Sequence, residues 1–158
     1  MKKIKVISCI VSVALMALIF FFSSQPADMS STVSGSITEK IIAFIIRLFD
    51  IPASDADNIY SVLHFFVRKT AHFVLFFALG ASYANTVSVI CNVSTKKVFI
   101  IALLLSVAYA ISDEIHQLSV SGRDCKVGDV IIDSSGALSG IGLFLSLRGY
   151  ILRRKSND

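Results

Sequence analysis

Long stretches without a charged residue constrain this chain more than any other feature. Ile4–Phe22 carries only Lys5 at its edge, Thr70–Thr95 and Val98–Ser112 carry no Asp, Glu, Lys or Arg, and neither does Ser134–Leu147. A helix that crosses a bilayer needs roughly 20 mostly apolar residues at 1.5 Å rise each. The last two stretches reach that length only if Asp113–Gln117 and Asp129–Asp133 also enter the membrane. Composition agrees, since 54% of the residues are hydrophobic and 16% charged, with mean hydropathy +0.75. A soluble domain carries about a quarter charged residues. The expected fold class is therefore all-α, a polytopic membrane protein with a bundle of about four transmembrane helices. The segments are about 4–22, 70–90, 98–117 and 129–148, in one membrane domain spanning 1–158. Lys2, Lys3 and Lys5 before an apolar stretch also fit a signal peptide. The stretch is long for that and no A-x-A site follows Phe22, so a retained anchor is expected.

Four alternating spans put the N-terminus, the 91–97 turn and the C-terminus on one side. That side holds Lys2, Lys3, Lys5, Lys96, Lys97, Arg148, Arg153, Arg154 and Lys155 against Asp158 alone, whereas acids outnumber bases on the other. The net charge of +4 and pI near 9.1 thus reflect sidedness, and no nucleic-acid partner is expected. By the positive-inside rule both termini are cytoplasmic, in a cell membrane. The excursion 23–69 then lies outside. Ile37, Ile41, Phe44, Ile45, Leu48 and Phe49 fall at helical spacing with Glu39, Lys40, Ala43 and Arg47 opposite, which predicts an extracytoplasmic amphipathic helix over Ile37–Phe49. Pro52 ends it, and Ser54 or Asp55 caps a new helix that runs on to Ile90, longer than the hydrocarbon core. Cys9, Cys91 and Cys125 have neither redox nor metal-ligand spacing.

The remaining ionisable groups gather at the outer ends of the spans. His72 lies about one turn inward from Lys69, Asp113 about one turn inward from Gln117, and Asp133 about one turn inward from Asp129. Ser106, Tyr109, Asp113, His116 and Gln117 share a helix face, as do Asp129, Asp133, Gly136 and Gly140. The Gly136-x-x-x-Gly140 spacing permits close helix approach, so these acids are expected on a packed face rather than toward lipid. Buried ionisable groups must pair, hold water or face a ligand. Three readings stay open. Arg68 or Lys69, together with Arg123, neutralises Asp113, Glu114, Asp129 and Asp133 as a structural network that locks the helix ends together. Alternatively, the three cations receive a phosphate or pyrophosphate that the carboxylates orient. Alternatively, His72, His116, Asp113 and Asp133 make a metal or acid/base centre. Neither H-E-x-x-H nor a zinc-type Cys/His spacing occurs, so no metal is expected and cofactors stay unknown. Glu114, about 100° round the helix from Asp113, is expected to face the adjacent loop, and His64 the interface.

Ser23-Ser24-Gln25 after the first span, Arg68-Lys69-x-x-His72 opening the second and Asp113-Glu114-x-His116-Gln117 closing the third resemble the VanZ-like membrane proteins. Arg123, Asp129, Asp133, Gly136 and Gly140 continue the pattern in order. Ser121 stands where the family usually has Pro before Gly-Arg, and 26–66 carries little of the signature. The resemblance implies a bacterial cell-membrane protein, and the family's namesake is linked to low-level resistance to the glycopeptide teicoplanin. The expectation is an outward-facing site for a phosphorylated, lipid-linked cell-envelope precursor. Gln25, Arg68, Lys69, Glu114, Gln117, Arg123 and Asp129 would bind it, and Asp113, His116, Asp133 and His72 would transfer protons. A membrane-embedded hydrolase or transferase and a structural or partner-binding protein remain alternatives. Transport ranks third, because the inner half offers little beyond Ser106, Tyr109, Tyr83 and Asn85.

Overall fold

In α1 (Lys2–Ser23), Ser8, Ser12, Ile19 and Ser23 recur on one stripe and are buried, while Ile4, Ile7, Ile10, Phe20 and Phe21 are exposed. The buried stripe is set by small polar residues, which allow close approach between helices in an apolar solvent where extra hydrophobicity gains nothing. The computed structural model describes residues 2–25, 40, 56–123 and 125–157. Three further helices follow: α2 (Ala56–Ile90), α3 (Thr95–Gln117) and α4 (Val127–Asn157). All four are long and apolar enough to cross a membrane, over Lys2–Ser23, Phe65–Ile90, Thr95–Gln117 and Val127–Arg154. The described residues contain no strand. The amphipathic helix expected at Ile37–Phe49 lies outside the described residues except for Lys40, and the cap at Ser54 or Asp55 lies outside them too.

The continuous α2 was expected from the lack of Gly or Pro before Leu79. Its 35 residues make a rod of about 52 Å, longer than a hydrocarbon core of about 30 Å. The most extensive helix contact is between α2 and α4. Lys69 meets Asp129 and His72 approaches Asp133, while the backbone at Gly136 faces Phe73 and that at Gly140 faces Phe77. The paired numbers rise together, so the two helices run parallel. A Cβ added at Gly136 would lie 2.4 Å from the Phe73 carbonyl oxygen, and one at Gly140 2.0 Å from that of Phe77. From the other side, a Cβ at Gly80 would lie 2.3 Å from the Ala137 carbonyl oxygen. The glycine spacing therefore serves packing within the chain, backbone against backbone.

A polar seam ties α1 to α2 at the opposite end. Ser12 Oγ shares hydrogen bonds with Ser82 Oγ at 2.9 Å and Thr86 Oγ1 at 3.0 Å, and Asn85 Nδ2 donates to Ser8 Oγ at 3.0 Å. Such contacts stabilise membrane helices by about 0.6 kcal/mol each. Helix α3 buries Val98, Ala102, Ser106, Ala110, Asp113 and Gln117 along one stripe against the bundle. Phe76, Leu79, Ala84 and Ile141 fill the centre, and Tyr109 Oη donates to the Met16 carbonyl at 2.6 Å. The apolar side chains of Ile100, Leu104, Ile111, Leu143 and Leu147 stay exposed. In a membrane that surface meets lipid.

Candidate functional site

The C-terminal ends of α1 and α3 and the mouth-side parts of α2 and α4 meet at one end of the bundle. Asp113, on the buried stripe of α3, is 3% exposed. Its Oδ2 accepts from Ser23 Oγ at 2.8 Å and from Gln117 Nε2 at 3.0 Å. The Gln117 amide thus turns its nitrogen toward the acid, and its Oε1 accepts from Arg123 Nη1 at 3.3 Å. Arg123 is 7% exposed. Its Nε donates to the Gln25 carbonyl and its Nη2 to the Phe22 carbonyl, both at 3.0 Å. Burial, followed by the nearby Arg68 charge, lowers the Arg123 pKa, yet a guanidinium stays charged in proteins.

The loop geometry explains how Arg123 reaches back. The Arg123 N–H donates to the Val120 carbonyl at 3.2 Å, closing a β-turn in which Gly122 has φ 73°. Positive φ at the third turn position calls for glycine. Ser121 holds the second position, where proline is common in such turns, so the departure from the family pattern leaves the turn intact.

On α2 and α4, Lys69 forms an ion pair with Asp129. His72 Nδ1 stands 3.7 Å from Asp133 Oδ1. That separation is an electrostatic approach rather than a hydrogen bond. Asp133 is 1% exposed, and neither carboxylate oxygen has a hydrogen-bond partner among the described residues. Asp113 Oδ1 is unpartnered in the same way. One donor atom from each of His72, Asp113 and Asp133 can be chosen so that all lie within 4.8 Å of one another. Beside them a cleft of about 10 Å³, room for a single water or ion, is lined by Arg68, Lys69, His72, Gln117, Asp129, Ile132 and Asp133.

The expected residues therefore divide. His72, Asp113 and Asp133 come together, with Gln117 and Arg68 at the same cleft. Lys69 is engaged by Asp129, and Arg123 by the Phe22 and Gln25 carbonyls and Gln117. Among the expected anion-holding cations, Arg68 alone makes no ion pair or hydrogen bond with the described residues. Glu114 is buried and accepts from the Lys126 N–H at 3.0 Å, so it faces the loop as its helix angle indicated. His116 turns toward α1, with Nε2 3.1 Å from Ser24 Oγ and its ring stacked on Phe20 at 4.4 Å. It therefore stands apart from the group formed by His72, Asp113 and Asp133. Gln25 contributes its backbone carbonyl, and the His64 side chain lies outside the described residues.

The sequence reading left Ser23 out of the site, although it is fully buried and donates directly to Asp113. Two signals pointed to it: its 4-7-4 spacing with Ser8, Ser12 and Ile19, and its place at the head of the Ser23-Ser24-Gln25 motif. Cys9, Cys91 and Cys125 are free thiols, the last two exposed.

No curated protein and no solved structure matches the chain. The VanZ/LLP1 family model matches residues 8–149, which run from the serine seam of α1 through every site residue to the last turns of α4. With that match over most of the chain, and with four helices suited to spanning a bilayer, this multi-pass membrane protein belongs to the VanZ/LLP1 family.

Proposed function

We propose that the polar mouth faces outward and recognises a phosphorylated, lipid-linked molecule of the cell envelope. The observation that carries this reading is Arg68, a cation on the cleft that has no ion pair or hydrogen bond among the described residues and stands beside His72 and Gln117. A guanidinium matches phosphate oxygens through paired N–H donors. Phe65, Phe66, Val127 and Ile131 are exposed on the same two helices near the cleft, so a prenyl or acyl tail can stay in lipid while its headgroup reaches Arg68. The basic residues at the opposite end of the bundle support the outward orientation.

The test is binding of a polyprenyl phosphate, with the uncharged polyprenol of equal length for comparison, to purified protein in detergent. Wild type should prefer the phosphate, and Arg68→Ala should weaken it at least tenfold while the protein still inserts. Equal affinity in the two proteins removes the reading.

A second reading, hydrolysis or group transfer on envelope lipids, draws on the approach of His72 to Asp133. It requires turnover of the phosphorylated lipid by purified protein, lost in Asp113→Asn. A contribution to teicoplanin resistance rests on the family resemblance and is tested by comparing susceptibility with and without the gene. A purely structural or partner-binding role would leave lipid binding absent and confine the effect of charge-neutral substitutions to expression and assembly.

A further inference from the structure

Two acids of the mouth, Asp113 and Asp133, form no ion pair with Arg68, Lys69 or Arg123. Lys69 is taken by Asp129, and Arg123 is held by the Phe22 and Gln25 carbonyls and by Gln117. That leaves Asp133 with two unpartnered oxygens and Asp113 with one, all buried. A buried carboxylate without a counter-charge is costly by several kcal/mol. The hydrogen bonds around Asp113 are directional: Ser23 and Gln117 both donate to Oδ2 and leave Oδ1 open. Fixing one oxygen of a carboxylate with neutral donors while the other stays open is the arrangement by which outer hydrogen bonds orient a metal ligand.

We propose that His72, Asp113 and Asp133 form a binding site for a divalent cation of the Mn²⁺ or Zn²⁺ class. One imidazole with two carboxylates is a mixed nitrogen and oxygen donor set, which suits these ions better than Ca²⁺ or Mg²⁺. The donor atoms lie within 4.8 Å of one another. Ligand atoms about 2.1 Å from a tetrahedral ion stand about 3.4 Å from one another. A pair at the full separation of 4.8 Å must therefore close by about 1.4 Å, within reach of side-chain rotation. Three protein ligands leave positions open toward the cleft that Arg68 lines. The cation's role there, sharing a phosphate with Arg68, rests on the reading above. A phosphate brought next to Asp133 alone would be repelled, whereas a metal bridging acid and phosphate turns the repulsion into attraction.

The experiment uses the full-length protein in detergent, stripped with chelator and titrated with Mn²⁺, with bound ion read by electron paramagnetic resonance and Zn²⁺ added in competition. One Mn²⁺ per chain is expected. Asp133→Asn and His72→Ala should each weaken it at least tenfold, and Cys91→Ser at the far end should leave it unchanged. Wild type that takes up neither ion overturns the proposal, as does retention of full affinity in folded Asp133→Asn. Size-exclusion and circular dichroism report on folding of the variants, and the wild-type titration decides the matter if they misfold. The two readings separate cleanly. Undiminished polyprenyl phosphate binding by chelator-stripped protein overturns the shared role and leaves phosphate recognition standing. Mn²⁺ binding together with an inert Arg68→Ala keeps the metal site and removes phosphate recognition.

Discussion

Gly140→Ala tests whether α2 and α4 are held at backbone contact. The new Cβ would stand 2.0 Å from the Phe77 carbonyl oxygen, and ordinary contact begins at 3.4 Å. The obstacle is backbone on a parallel helix, so no side chain can swing aside, and the helices must part locally by about 1.4 Å, the difference between those distances. A gap of even 0.5–1 Å forfeits roughly a quarter to a half of a van der Waals contact. Overpacking of this kind costs about 1–3 kcal/mol, and a backbone obstacle places Gly140→Ala in the upper half of that range. Replacing glycine by alanine in a helix also brings up to about 1 kcal/mol of propensity, which would blur the result. Gly142 provides the correction, since a Cβ there meets nothing within 4 Å. Both substitutions gain the same propensity in the same helix, so their difference isolates the steric cost. Unfolding by SDS titration in mixed micelles should find Gly140→Ala less stable than Gly142→Ala by about 2 kcal/mol. A difference under about 0.5 kcal/mol, small against ordinary overpacking, would refute the close approach of α2 and α4.

Arg123→Ala should destabilise the protein by about 3 kcal/mol in the same assay, because the Phe22 and Gln25 carbonyls and Gln117 Oε1 each lose a donor. Arg123→Lys should recover only part of that, since an ammonium cannot reproduce the planar fork; full recovery would mean that charge alone matters there. Ser121→Pro should stabilise by about 0.4–1 kcal/mol through loss of unfolded-chain freedom, given the turn closed by the Arg123 N–H onto Val120. Destabilisation would show that Ser121 does not hold the backbone geometry proline requires.

The sequence by itself determined the number of spans, because charge-free length is a local property and the bilayer acts on each segment separately. It also placed His72, Asp113 and Asp133 at one depth, since depth along a straight helix follows from counting residues at a fixed rise. Gly136 and Gly140 announced a close approach, and the angle between Asp113 and Glu114 announced that Glu114 would face the loop. The tertiary structure alone decided which partner each group meets. The glycines chose α2 rather than another chain because the carbonyls of Phe73 and Phe77 lie against them. Arg123 became a clasp for the end of α1 because the Gly122 turn carries it back to two backbone carbonyls. His116 turned to Phe20 and Ser24, and Ser23 took the place beside Asp113. Helical periodicity fixes a side chain's height and direction on its own rod, whereas the neighbour it finds depends on how the rods are arranged around it.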